Sequence, residues 1–143
     1  MFEKIKLDPL NQFYPVNLDK IRNNESKLGI QIPELLKEFY VKVGYGFLKS
    51  KADNINRIMD PESVLDFRLR QHDFEFYPDI ESYNQFKNDK LVFFEANEVA
   101  LLSIGFAAEN KGKIYYYDEE IAPNLVELLD RLMEDDTFYY DLI

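Results

Sequence analysis

Several short clusters in this 143-residue sequence carry residue types that do chemistry. Gly44 and Gly46, in Val43-Gly44-Tyr45-Gly46, have the G-x-G spacing that lets backbone amides approach a phosphate. Asp118-Glu119-Glu120, and the looser set Asp73, Glu75 and Asp79, offer carboxylates for acid–base work or for a divalent cation. Tyr115-Tyr116-Tyr117 offers rings on which bases could stack. His72 is the one histidine.

The surroundings of each cluster limit what it can do. The glycine pair is not followed by Gly-Lys-Ser/Thr, and it comes after a helical pattern rather than between a strand and a helix. Amides there would cap a helix C-terminus, whose dipole repels phosphate. His72 has no G-x-S-x-G partner, and the absence of cysteine removes thiol catalysis, Cys-based zinc sites and disulfides. Adjacent acids on a strand point to opposite faces, so Asp118-Glu119-Glu120 cannot aim three oxygens at one metal without a bend. No EF-hand spacing occurs. The tyrosine triplet runs into acids rather than a basic groove, and reads as core tyrosines with polar tips. The expectation is therefore no catalytic residue, no metal and no cofactor. A carboxylate- or metal-dependent hydrolase ranks last among the readings.

Charge says more. The chain is −10 overall, but residues 1–70 hold 10 acids and 12 Lys/Arg, while residues 71–143 hold 17 acids and 5 Lys/Arg. From Asp118 to Ile143 there are nine acids and one base, Arg131. Such a surface repels phosphate backbones and attracts a basic protein. A merely solubilising face is the bland alternative. No stretch approaches the ~20 apolar residues of a membrane span. Charges interrupt the N-terminal MFEKIKLDPL where a secretory apolar core would lie, so a soluble, cytoplasmic protein is expected.

The elements that must position these residues follow from caps and periodicity. Residues 1–16 read as an extended lead-in whose Leu10, Phe13 and Tyr14 tuck against the domain. Asn17 N-caps a short helix with Leu18, Ile21 and Leu28 on one stripe, and Gly29 stands at its left-handed cap. Pro33 opens a second helix whose Leu35, Leu36, Phe39, Tyr40 and Val43 form one buried face. Gly44 stops it, and Gly46 turns the chain into a strand near Phe47. A second strand follows, then a helix capped by Asp60 and Pro61, an acidic aromatic stretch over residues 71–90, three apolar strands, and a last helix on Leu125, Leu128, Leu129 and Leu132. Strand runs joined by short turns predict a single α+β domain over residues 1–143, with a mainly antiparallel twisted sheet of five to six strands and about four helices.

The helix ending in Glu25-Ser26-Lys27-Leu28-Gly29-Ile30, followed by QIPELLKEFYVKVGYG, resembles the signature of the SMI1/KNR4 family, the SUKH superfamily. Leu28, Gly29, Pro33, Phe39, Tyr40, Gly44 and Gly46 take the motif's structural places, as do Glu25 and Leu36. Later blocks are similar in the same order, and the likeness spans roughly residues 17–133. The family's usual Asn before the glycine pair is Val43 here, and its Ser-Phe opening of the last helix is Pro123-Asn124-Leu125. The resemblance implies a non-enzymatic α+β binding domain. Bacterial members are mostly immunity proteins that neutralise toxin domains, often nucleases, and fungal relatives are regulators and scaffolds in cell-wall synthesis.

An immunity-type role and the acidic half agree. The expected partner is a basic toxin domain encoded nearby, with no direct nucleic acid, no membrane, and a monomeric or weakly dimeric chain. Asp73, Glu75, Asp79, Asp118, Glu119 and Glu120 would carry charge, with Tyr77, Tyr83 or Tyr139 as anchors. A regulatory interaction module is the alternative.

Overall fold

A computed structural model of the chain describes residues 1–49, 55–75, 88–96 and 100–139. The elements are α1 (Glu3–Leu7), β1 (Gln12–Tyr14), α2 (Leu18–Leu28), α3 (Glu34–Lys42), β2 (Tyr45–Lys49), β3 (Ile55–Ile58), α4 (Pro61–Leu69), β4 (Lys90–Ala96), β5 (Ala100–Gly105), β6 (Ile114–Tyr116), β7 (Glu119–Ala122) and α5 (Leu125–Glu134). A single 3₁₀ turn, His72–Phe74, follows α4. The seven strands form one sheet in chain order, and each neighbouring pair is antiparallel. The α+β class is as expected, with seven strands against the expected five to six, and five α-helices among the described residues against about four. The extra elements are short: α1, the three-residue β1 and the four-residue β7.

The helix caps follow the sequence. The Asn17 side chain accepts from Asp19 N, and Gly29 closes α2 in the left-handed conformation with its amide on Glu25 O. Pro33 occupies the N-cap position, one residue earlier than expected, and α3 begins at Glu34. Asp60 caps α4 by accepting from Ser63 N, and Pro61 follows at the first helical position. Leu18, expected on the buried stripe of α2, is 41% exposed, because the buried side of that helix carries Ile21 and Asn24.

Glu25 fixes how α2 meets α3. Its Oε2 accepts from the Ile32 amide at 2.8 Å and pairs with Lys37 Nζ at 3.0 Å. One carboxylate thus holds the linker between the helices and the first turns of α3. Phe39 then sits edge-on to Phe2 at 5.1 Å and to Phe13 at 5.7 Å, joining α1, β1 and α3 in one aromatic cluster.

The glycine pair does a job that differs in part from the expected one. Gly44 has φ +121 and its amide bonds Phe39 O at 3.0 Å, so it ends α3 with positive φ as anticipated. Gly46 does not lead into the strand. The strand already starts at Tyr45, and Gly46 lies within it, opposite Phe13. A Cβ on Gly44 would meet Tyr14 O at 1.9 Å, and one on Gly46 would meet Gln12 O at 2.2 Å. Both glycines are bare so that β1 can lie against β2.

The core spans the sheet and its helices. Every residue of β5 is buried. β4 gains a buried residue through a bulge between Val92 and Phe94, and Phe93 and Phe94 are both fully buried. The bulged Phe93 carbonyl accepts from Met59 N at 2.8 Å. Tyr40 crosses from α3 to donate its hydroxyl to Met59 O at 2.6 Å. Burial, with Asp60 adding to it, pushes that hydroxyl's pKa well above the ordinary tyrosine range. Tyr139, expected as a surface anchor, is fully buried instead, with its hydroxyl donating to Asn56 Oδ1 at 3.0 Å. Asn56 Nδ2 in turn donates to Asp136 O at 2.9 Å, so β3 anchors the segment after α5.

Gly44→Ala adds a carbon at 1.9 Å from a backbone oxygen, and should cost on the order of 3 kcal/mol or more in urea denaturation. Gly29→Ala, at φ +73 with nothing within 4 Å of the new carbon, isolates the conformational part alone, at roughly 1 kcal/mol. Tyr40 stabilises the fold only while neutral. Its folded pKa lies above the unfolded one, so this contribution is complete below about pH 10 and drains away as pH rises further. Denaturation midpoints should fall above that pH, and Tyr40→Phe should flatten the fall while losing about 1–2 kcal/mol at neutral pH.

Candidate functional site

Of the acids expected to carry charge, the described ones lie on two segments, the hairpin and the 3₁₀ turn. Asp118, Glu119 and Glu120 form part of the β6–β7 hairpin. Tyr116 pairs with Glu119, leaving Tyr117-Asp118 as a two-residue turn. All three acids are exposed. Glu119 and Glu120 open the edge strand β7. Glu75 is exposed at the end of the 3₁₀ turn that contains Asp73, in the chain leading to β4, which lies three places from β7 in the sheet order. Tyr77, Asp79 and Tyr83 lie outside the described residues.

The hairpin is built on a strained turn and a bulge. Tyr117 has φ +54, the left-handed region that a bulky residue seldom takes, and its ring meets Tyr116 edge-on at 4.9 Å. The register shifts between Ile114 and Tyr115, so Ile121 is the unpaired extra residue of β7. That bulge puts Ile121 and Ala122 both into the core while Glu119 and Glu120 stay outside. Lys113 Nζ lies 3.4 Å from Glu120 Oε1, both half-exposed, a pair of small energetic weight. Tyr115 is half-buried. Lys90 Nζ stands 4.6 Å over its ring and pairs with Asp89 at 3.1 Å.

The last helix extends the acidic surface. Asn124 caps α5 by accepting from Glu127 N at 2.9 Å, and Leu125, Leu128, Leu129 and Leu132 face the core. Glu127, Asp130 and Glu134 are exposed on the remaining side. The sequence carried their signal, as acids at i, i+3 and i+7 between the leucines, but they were not singled out. Of these three acids, Arg131 pairs with Glu127, and it also reaches β7. Its Nη1 donates to Ile121 O at 2.5 Å, its guanidinium stands 6.0 Å from the Phe138 ring centroid, and its Nε is 3.5 Å from Glu127 Oε2. The single base of this quarter thus joins α5 to β7 and pairs with Glu127.

His72 forms a helix-end contact. It has φ +55, and its Nδ1 lies 2.9 Å from Asp66 Oδ1, an oxygen that also accepts from Gln71 Nε2 at 2.9 Å. Among the described residues, no group of three or more His, Asp or Glu could hold a metal ion, and no helix is long and apolar enough to cross a membrane.

Comparison with known proteins bears on the same elements. The family model SUKH_6, described as SMI1-KNR4 cell-wall, matches residues 18–129. The chain belongs to the SMI1/KNR4 family. Among its SUKH relatives is "Immunity protein YxxD" of Bacillus subtilis (strain 168), 53% identical over 139 residues that cover 97% of this chain and 95% of that protein. No solved structure matches. At the positions of the SMI1/KNR4 motif, Gly29 ends α2, buried Pro33 precedes α3 at its N-cap, Phe39 and Tyr40 are fully buried, Leu28 packs against the core, and Gly44 and Gly46 admit β1.

The Arg131 bridge is directly testable. Arg131→Ala removes a charge-assisted bond to a backbone carbonyl, and should lower unfolding stability by about 1–3 kcal/mol. Hydrogen exchange should show the loss concentrated in β7 and the first turns of α5.

Proposed function

We propose that this chain is an immunity protein that acts without catalysis, by binding and neutralising a basic toxin domain encoded nearby. The observation that carries the reading is the 53% identity to "Immunity protein YxxD", which covers nearly the whole of both chains. The acidic hairpin and α5 support it. The exposed carboxylates of Asp118, Glu119, Asp130 and Glu134 are available to a cationic surface such as the cleft of a nuclease, where they would stand in for phosphates. The chain works in the cytoplasm as a single domain, monomeric or weakly dimeric, and takes no nucleic acid directly. Asp118, Glu119 and Glu120 supply the long-range attraction, joined by Glu75 and by Asp73, Tyr77 and Asp79 on the preceding stretch.

A regulatory interaction module is the second reading, supported by the cell-wall description of the family model. The experiment is co-expression with the toxin domain encoded beside the gene. The wild-type chain should restore growth, and reversing the charges of Asp118, Glu119 and Glu120 together should weaken protection, most strongly at low chain abundance. Absence of rescue by the wild-type chain would count against the immunity reading and for the regulatory one.

A further inference from the structure

Among the described residues, the carboxamide of Asn24 is wholly buried, and neither its Nδ2 nor its Oδ1 has a hydrogen-bond partner. A buried amide in that state has lost its hydration and gained nothing in return. It stands in a helix with little else to hold it. Ile21 is the only other buried residue of α2, Leu28 is half-buried and Leu18 is exposed. The shorter α5 buries four leucines. α2 lies against α4, and Lys20 Nζ meets Glu62 Oε2 across the contact at 3.1 Å. Both side chains are more than a third exposed, so that pair carries little weight. Asn24 and Leu65 follow Lys20 and Glu62 by one turn, which puts them on the facing sides of the two helices. Leu65 is buried there, outside the apolar cluster that fills the core.

The other fastening of α2 is of a different kind. Glu25 Oε2 ties it to the linker and to α3, through the Ile32 amide and Lys37 Nζ. The helix is therefore firmly held at its C-terminal end and lightly held along α4. Lifting it returns the Asn24 carboxamide to water, which favours the open form, and uncovers Leu65 on the flank of α4. We propose that α2 is a lid on α4, pivoting on the linker to α3 and kept easy to lift by Asn24, and that it opens while the sheet stays folded. The device is independent of the immunity reading. It gives the chain a second form, with an apolar strip that the closed form hides.

The test is amide hydrogen exchange of the full chain, under conditions where opening stays at equilibrium. In the wild-type chain, the amides of Arg22 to Leu28 should exchange about tenfold or more faster than those of β5, at a rate nearly flat in low urea because little surface opens. Asn24→Ala removes the unpartnered amide and also raises helix propensity. Asn23→Ala, at the exposed neighbouring position, changes propensity alone and serves as the control. Exchange in α2 should be about tenfold slower in Asn24→Ala than in Asn23→Ala. Thermal melts establish that both variants fold, and the wild-type comparison stands without either. Exchange of α2 at the rate of β5, with the same urea dependence, overturns the lid. Exchange in Asn24→Ala no slower than in Asn23→Ala overturns the role of Asn24.

Discussion

At Gly44 and Gly46 two stretches of backbone come closer than any side chain permits. The Tyr14 carbonyl lies where a Cβ of residue 44 would be, and the Gln12 carbonyl crowds residue 46 in the same way. Much of the N-terminal half is arranged around that approach. β1 can pair with β2 only if both positions are bare, and Phe13 reaches the Phe2–Phe39 cluster only if β1 is seated. α3 must also stop at Lys42 for Tyr45 to begin the strand, which the positive φ of Gly44 accomplishes. Upstream, Glu25 sets the path into α3 with one carboxylate shared between an amide and an ammonium. Short backbone contacts of this kind have no slack, since nothing rotatable stands between the two chains.

The C-terminal half obeys a different logic. Its interior is apolar and regular, with a leucine stripe on α5 and a fully buried β5. Its exterior holds like charges that contribute little to stability and repel one another. A chain selected only for stability would scatter bases among them. Here the one arginine of the last quarter is turned onto the Ile121 carbonyl and the Phe138 ring. It joins helix to edge strand while its Nε pairs with Glu127 on the outer face of α5.

Much of this was legible from residue order. Asn17, Gly29, Asp60 and Pro61 mark helix ends by local chemistry that needs no knowledge of the fold, and the leucines of α5 declare its buried face. β4, β5 and β6 are recognisable as apolar runs. The failures have physical reasons. β1 is three residues long, too short for a period of two to show, and it exists because β2 offers it a bare edge. β7 opens with two glutamates and gains its buried residues through a bulge, so neither composition nor alternation reveals it. Tyr139 reads like a surface aromatic in an acidic tail, but its partner Asn56 is 83 residues upstream. The role of Gly46 is hidden for the same reason, because the carbonyl that forbids a side chain there belongs to Gln12. At the candidate surface the charge itself was plain, and its division between hairpin and helix was not.

The chain-order sheet has one further consequence, for the sequence of events in folding. Each strand neighbours the one made just before it, and the β2–β3, β4–β5, β5–β6 and β6–β7 pairs have only short connections to close. The β1–β2 and β3–β4 pairs are the exceptions, each with about thirty residues between its strands, and closing such a loop costs entropy that three backbone pairs repay poorly on their own. In both cases helices lie in the connection, so the pairing depends on their docking: α4 between β3 and β4, and α2 and α3 between β1 and β2. At the β1 edge the GYG turn acts as a latch, since α3 presents Phe39 to Phe13 and the two bare glycines let the three-residue strand close over them.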